Sequence, residues 1–435
     1  MSLLDSTSES TELSALLDDV SSQPAAGIQV PTPQRPGLVE RTTVAITIFV
    51  LMHGLPIDWF VTYDSPAPDG NLKLVAAQLA LMFLGIARVA GWFNWLIRVF
   101  QLDLSVLSIG ALALASTLWS DAPFETLKQA TILVSVTFYA GYLVLRFALD
   151  EILNLVARVF VISAFINLFF VFALPAYSID AIGAWDGVYT QKNALGFAAW
   201  LSIPIFIVVA RSGRPWARLY YLVIPLQAVL LVGSQSKTML VGTIGTVLVL
   251  FISRAFRGRR TAKGAVVVAL VVLSVTMVAV ATANLAVLAE WLDKDVTLTG
   301  RVPLWKALIP VAMERPILGW GYKAVFRGYF SPVHEVWLTE TWEPGSAHNA
   351  FLHAFLEMGI VGVALYVFSI GRVAARAVNV AASAANAVGL WPLAYLSTVL
   401  LLSITESGIV NSIEVWLLFP IAAYTCALQT RPAMG

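Results

Sequence analysis

Charge is scarce in this chain: only 12% of its 435 residues are Asp, Glu, Lys or Arg, and the net charge is +1. Water-soluble domains carry about 25% charged and about 45–50% apolar residues, whereas here the apolar share is 59%. Too little polar surface remains to keep such a chain in water. A cytosolic globular enzyme, a disordered protein and a nucleic-acid binder are thereby excluded. Cysteine is nearly absent: the single Cys426 excludes a disulfide framework and a thiolate zinc site. The four histidines, His53, His334, His348 and His353, are too few and scattered for a histidine metal cage.

What the chain does have is long apolar runs. Twelve of about 17–25 residues, the length a helix needs to cross hydrocarbon, fall at 42–62, 73–91, 102–119, 130–147, 152–174, 193–210, 217–233, 238–254, 265–288, 348–371, 388–405 and 412–428. They are unbroken rather than alternating, so helices and not a barrel satisfy the backbone in lipid. The expected fold is an all-α polytopic membrane protein with about 12 transmembrane helices. Alternate linkers carry the arginines: Arg88 and Arg98, Arg146 and Arg158, Arg211, Arg214 and Arg218, Arg254 to Lys263, then Arg372 and Arg376. Four short linkers between them hold one lysine each (Lys73, Lys128, Lys192, Lys237), and the last, around Glu406, holds no base. The positive-inside rule then places both termini in the cytoplasm.

The expected organisation is a Ser/Thr/Pro-rich disordered cytoplasmic arm over 1–40, helices 1–9 over 41–288, a large exterior loop over 289–347, and helices 10–12 with a short cytoplasmic terminus over 348–435. The arm has no basic region followed by an apolar one, so it is not a signal peptide. The loop between helices 9 and 10 holds six bases and nine aromatics. A loop this long in a compact protein is functional or disordered, and its aromatic content points to function.

Four constellations carry candidate chemistry. In the first, Pro303 starts a helix over 303–313 that ends before Pro316, placing Arg301 at a helix N-terminus that favours an anion. Its guanidinium can grip phosphate with paired donors; the alternative is pairing with Asp293, Asp295 or a lipid headgroup. The second is Ala347-His348-Asn349 at the start of helix 10, where His348 suits a base near neutral pH. Glu357 follows inside that helix, an ionisable group at membrane depth, and His353 one turn before it offers a structural partner. The third is Ser234-Gln235-Ser236-Lys237-Thr238, a cation among polar neighbours that lacks the glycines of a phosphate loop. The fourth, Gln191-Lys192-Asn193, opens helix 6 on the same face.

Together with Gly300-Arg301 and Trp305, Glu314-Arg315-Pro316 through Gly321, and Glu357-Met358-Gly359, these segments resemble the O-antigen ligase and polymerase superfamily over about residues 190–370. The resemblance implies a large periplasmic loop between the ninth and tenth of about twelve helices, in the bacterial inner membrane. It implies transfer of an undecaprenyl-diphosphate-linked glycan to an acceptor hydroxyl at the periplasmic face. His348 and Arg301 match the catalytic positions. Lys237, Lys192, Arg315, Asn349 and Trp305 are candidates for holding diphosphate or glycan, and Glu357 for a structural or functional carboxylate. No metal and no cofactor is expected. Partners would be the carrier-linked oligosaccharide, the acceptor glycan, membrane lipids, and flippase and chain-length regulator proteins. Within the superfamily the pattern is closer to an exopolysaccharide polymerase; the alternatives are an O-antigen ligase acting on lipid A-core and, from another class, a twelve-helix secondary transporter.

Overall fold

The computed structural model describes residues 36–52, 72–87, 92–189, 191–255, 301–326, 331–339, 345–407 and 412–430. The expected arm up to residue 35, the ninth span at 265–288, and Asp293 and Asp295 lie outside these. The described residues form helices α1 (Leu38–Leu51), α2 (Leu72–Ile86), α3 (Trp92–Leu102), α4 (Leu104–Ala115), α5 (Pro123–Arg146), α6 (Leu149–Ala173) and α7 (Pro175–Ser178). There follow α8 (Lys192–Ala210), α9 (Tyr220–Gly233), α10 (Lys237–Ala255), α11 (Arg301–Glu314), α12 (His334–Thr339), α13 (Ala350–Ser383), α14 (Trp391–Thr405) and α15 (Ile413–Thr430). No strand occurs among the described residues. The fold is an all-α polytopic membrane architecture.

Six of these helices, α5, α6, α8, α10, α13 and α15, are long and apolar enough to cross a membrane. The expected span at 102–119 is the second arm of a pair bent by 102°. Asp103 makes the bend: its buried carboxylate accepts from the Ser105 amide at 2.9 Å, capping α4, and pairs with Arg372 and Arg376 of α13. Helix α3 buries Trp95, Val99 and Leu102 and exposes Asn94, Ile97, Arg98 and Phe100. Within the last residues of the expected arm, Leu38 to Glu40 are helical, and Glu40 takes a paired contact from Arg146 at 2.7 and 2.9 Å.

Helix α15 is buried on every side from 415 to 427, as a helix at the centre of a bundle must be. Its Trp416 donates to the Leu133 carbonyl at 3.1 Å and to Thr137 at 2.9 Å on α5. A polar chain from Trp200 through Thr246 to Thr398 ties α8, α10 and α14 together. At one end of the bundle a second, smaller core forms from Leu304, Leu308 and Ala312 of α11 with Val325, Val333, Val336, Ala347 and Leu356. This small core supports the candidate site.

Candidate functional site

The expected helix over 303–313 is α11, with Pro303 in its first turn and Arg301 as its first residue. Helix α13 is not continuous: Gly359 has φ 63° and ψ −164°, which interrupts the helical hydrogen-bond ladder. Residues 316–321 pair with backbone groups on both sides of the interruption. The Ile360 and Val361 amides donate to the Pro316 and Ile317 carbonyls at 2.8 and 3.3 Å, while the Trp320 and Gly321 amides donate to the Leu356 and Glu357 carbonyls at 2.9 and 2.8 Å. Four backbone groups beside the break are thereby paired. Gly319 and Gly359 are required here: each has a positive φ, and a Cβ on either would run into the other segment's backbone.

The break decides where His348 goes. Tyr366 of α13 bonds Ser403 of α14 at 2.8 Å, while Asn349 donates to the Ile404 carbonyl at 3.4 Å and His348 meets Glu406. Residues 348 and 366 would stand roughly 27 Å apart along an unbroken helix at about 1.5 Å per residue. Their partners, Ser403 on α14 and Glu406 just past its end, are three residues apart. Only a bent α13 satisfies both, so residues 350–358 fold across the end of the bundle and return His348 to Glu406.

There one carboxylate holds a guanidinium and an imidazole. Arg301 Nη2 donates to Glu406 Oε1 at 3.0 Å, and His348 Nδ1 lies 3.1 Å from Glu406 Oε2. The three side chains are 17%, 24% and 20% exposed for Arg301, His348 and Glu406, so each is sheltered yet reachable. A carboxylate only accepts, which fixes the proton on Nδ1 and leaves Nε2 as the basic nitrogen. Asn349 caps α13, its side chain accepting from the Phe351 and Leu352 amides at 3.0 Å each. His348 itself is held at φ 46°, a left-handed conformation that costs a non-glycine residue about 1–3 kcal/mol and is concentrated at functional sites. Trp305 Nε1 donates to the Ala347 carbonyl at 2.8 Å, tying α11 to the residue before the histidine.

The other expected residues are placed differently. Arg315, at the far end of α11 from Arg301, stacks over Trp320 at 4.0 Å and pairs with Asp121 at 2.9 Å, bracing the inserted loop. Glu357 is paired with His353 at 3.1 Å, and His353 accepts the Ala347 amide on its other nitrogen at 3.4 Å. Glu357 lies just before the break in α13. Its carbonyl is bonded to Gly321, whose neighbour Tyr322 is bonded to Thr126 in the first turn of α5, so it is level with the α4–α5 connection.

Lys192 pairs with Asp180 at 3.5 Å. Desolvation disfavours the Asp180 carboxylate, but the amides of Ala184 and Ile182 and the nearby Lys192 outweigh it and hold its carboxyl below the usual range. Asp186 is raised by burial and then by the like charge of Asp180, against the pull of Lys192. Lys237 opens α10 at this same end, next to Ser236, which bonds Asn193 at 2.9 Å. Among the described residues no three His, Cys, Asp or Glu side chains converge as a metal would need.

Glu406 is the member of the site that sequence reasoning missed. Its signal was present: an acid at the end of an apolar run, in the one exterior linker without a base to pair it.

Residues 220–367 match the family model described as O-antigen ligase. That segment contains Lys237, Arg301, Trp305, Arg315, His348, Asn349 and Glu357, but neither Lys192 nor Glu406. The chain is also 29% identical over 262 residues to the exopolysaccharide production protein ExoQ of Rhizobium meliloti (strain 1021), covering 57% of this chain and 59% of that protein.

Proposed function

From the match to the O-antigen ligase family model and the likeness to the exopolysaccharide production protein, we propose that the chain is a glycosyltransferase of the bacterial inner membrane, with both termini cytoplasmic. It transfers an undecaprenyl-diphosphate-linked glycan to an acceptor hydroxyl at the periplasmic face and polymerises exopolysaccharide repeat units. The observation that carries this reading is Glu406 holding Arg301 and His348 side by side.

The chemistry follows from those three groups. The acceptor oxygen attacks the anomeric carbon while the bond from that carbon to the diphosphate oxygen breaks, and the electron pair leaves with the diphosphate. The acceptor's proton passes to Nε2 of His348, and Glu406 stabilises the imidazolium that forms, the part a carboxylate plays beside a catalytic histidine. Arg301 spends one terminal nitrogen on Glu406 and keeps its other donors for the leaving diphosphate, where negative charge grows. Lys237 adds positive charge at the same end of the bundle. These cations supply what the leaving group needs, so turnover does not depend on an added divalent metal.

The relative's name, exopolysaccharide production, favours a polymerase over a ligase. Both would share this site and differ in the acceptor. Flippase and chain-length regulator proteins are the partners a polymerase would require. The test is reconstitution of the full chain in liposomes with a carrier-diphosphate oligosaccharide. Longer glycan together with released carrier diphosphate supports the polymerase. Product formed only when lipid A-core is supplied identifies a ligase, and an untouched donor refutes the glycosyltransferase.

A further inference from the structure

At the end of the bundle opposite His348, the α8–α9 turn, the end of α10 and residues 385–387 surround a cavity of about 880 Å³. Arg211, Arg214, Arg218 and Arg254 all line it, and no lining residue is a carboxylate. The four charges are not equivalent. Arg214 is neutralised from outside by Asp150 at 2.6 Å and Glu151 at 3.7 Å. The Arg211 guanidinium lies over the Tyr221 and Phe251 rings at 5.7 and 5.9 Å, which orient it without cancelling its charge. Arg218 and Arg254 are exposed and have no ionic partner among the described residues. Like charges crowded into one cavity repel, and an anion between them removes that cost.

The depth of the cavity identifies the anion. Trp216, at the rim, is 82% exposed and held at φ 62°, so its ring is pushed outward from the turn. Exposed tryptophan beside arginine is the signature of the membrane–water interface. Across Trp216 lies a second cavity of about 690 Å³, whose walls include the aliphatic side chains Val161, Ile162, Leu219 and Val223. A polar head among arginines and apolar tails along such a wall is the form of a phospholipid, and guanidinium donors suit its phosphate.

We infer that this cavity binds the phosphate headgroup of an anionic phospholipid from the cytoplasmic leaflet, with Arg218 and Arg254 as its principal ligands and Trp216 at its edge. The site is separate from the transferase site and does not rest on the reaction assigned above.

The test uses the full chain purified in neutral detergent, titrated with phosphatidylglycerol, phosphatidylcholine or inorganic phosphate. Melting temperature and native mass spectrometry of retained lipid are read together. Phosphatidylglycerol should stabilise the wild type and be retained, and phosphatidylcholine should do neither. Arg218→Gln with Arg254→Gln should weaken phosphatidylglycerol binding by roughly 10-fold or more, while Arg98→Gln, an exposed arginine of α3 outside the cavity, should leave it unchanged. Should the double variant not fold, each exposed single substitution reports part of the same loss. Equal lipid binding by variant and wild type would overturn the site. Inorganic phosphate alone producing the whole stabilisation would overturn the lipid as its occupant.

Discussion

The two ends of α11 are built on different principles. At its start, Arg301 belongs to a cluster held by side chains: one glutamate just past the end of α14, one histidine at a strained backbone position, each partly open to solvent. At its finish, Arg315 belongs to a wedge in which backbone pairs with backbone and two glycines permit the approach. Both arginines sit in neighbouring motifs and both were expected to hold substrate. The structure gives one a place at the candidate chemistry and the other a place in the scaffold that bends α13 toward it. The comparison teaches that the wedge determines where His348 stands, whereas the cluster determines what His348 can do.

The comparison breaks most severely at the wedge. Gly359→Ala should abolish folded protein, because a Cβ must enter the Ile317 backbone at a positive φ; a cost of more than about 3 kcal/mol is expected for strain and collision together. Membrane extraction and melting temperature read this directly, and a normally folded variant would remove the wedge from the account.

At the other end of α11 the effects should be chemical. His348→Ala and Arg301→Ala should each lower glycan transfer by roughly 10²–10⁴-fold, the range lost with a general base or a charge-stabilising donor. Protein level and melting temperature should stay close to wild type. Arg301→Lys should recover only part of the loss, since the charge returns without the paired donors.

Smaller effects sharpen the contrast. Arg315→Lys keeps a charge near Asp121 but loses the planar stack on Trp320, so stability should fall by about 1 kcal/mol while the rate per folded molecule hardly changes. The same substitution type would thus act on rate at one end of α11 and on stability at the other. Of similar size, Trp305→Phe removes one hydrogen bond to the Ala347 carbonyl and should cost about 0.5–1.5 kcal/mol in melting experiments.

Legibility in the sequence follows the range of the interactions. Local features were readable: Pro303 marks the first turn of α11, Asn349 caps α13, and apolar runs mark helices α5, α6, α8, α10, α13 and α15. Arg301 and His348 were found because their surroundings are written within a few residues of each. Glu406 was not, since its two partners lie 105 and 58 residues away and the local sign, an acid closing an apolar run, does not name them. The break at Gly359 was hidden for a similar reason. The apolar pattern runs straight through it, and the backbone groups that compensate it come from residues about 40 positions earlier. Lys192 looked available for phosphate because its partner Asp180 stands in a separate turn. The bend at Asp103 is the converse case, where a buried acid facing two arginines of α13 ends a helix that composition alone would continue.

The most direct measurement of the central claim is a double-mutant cycle on Glu406 and His348, with transfer from a carrier-diphosphate oligosaccharide as the readout. If Glu406 works by holding His348, Glu406→Gln should lower the rate by roughly 10–100-fold in the wild type. In the His348→Ala background it should lower it far less, leaving only the effect through Arg301. Independent, multiplicative losses would contradict the shared carboxylate, and an unaltered rate in Glu406→Gln would remove it from the site.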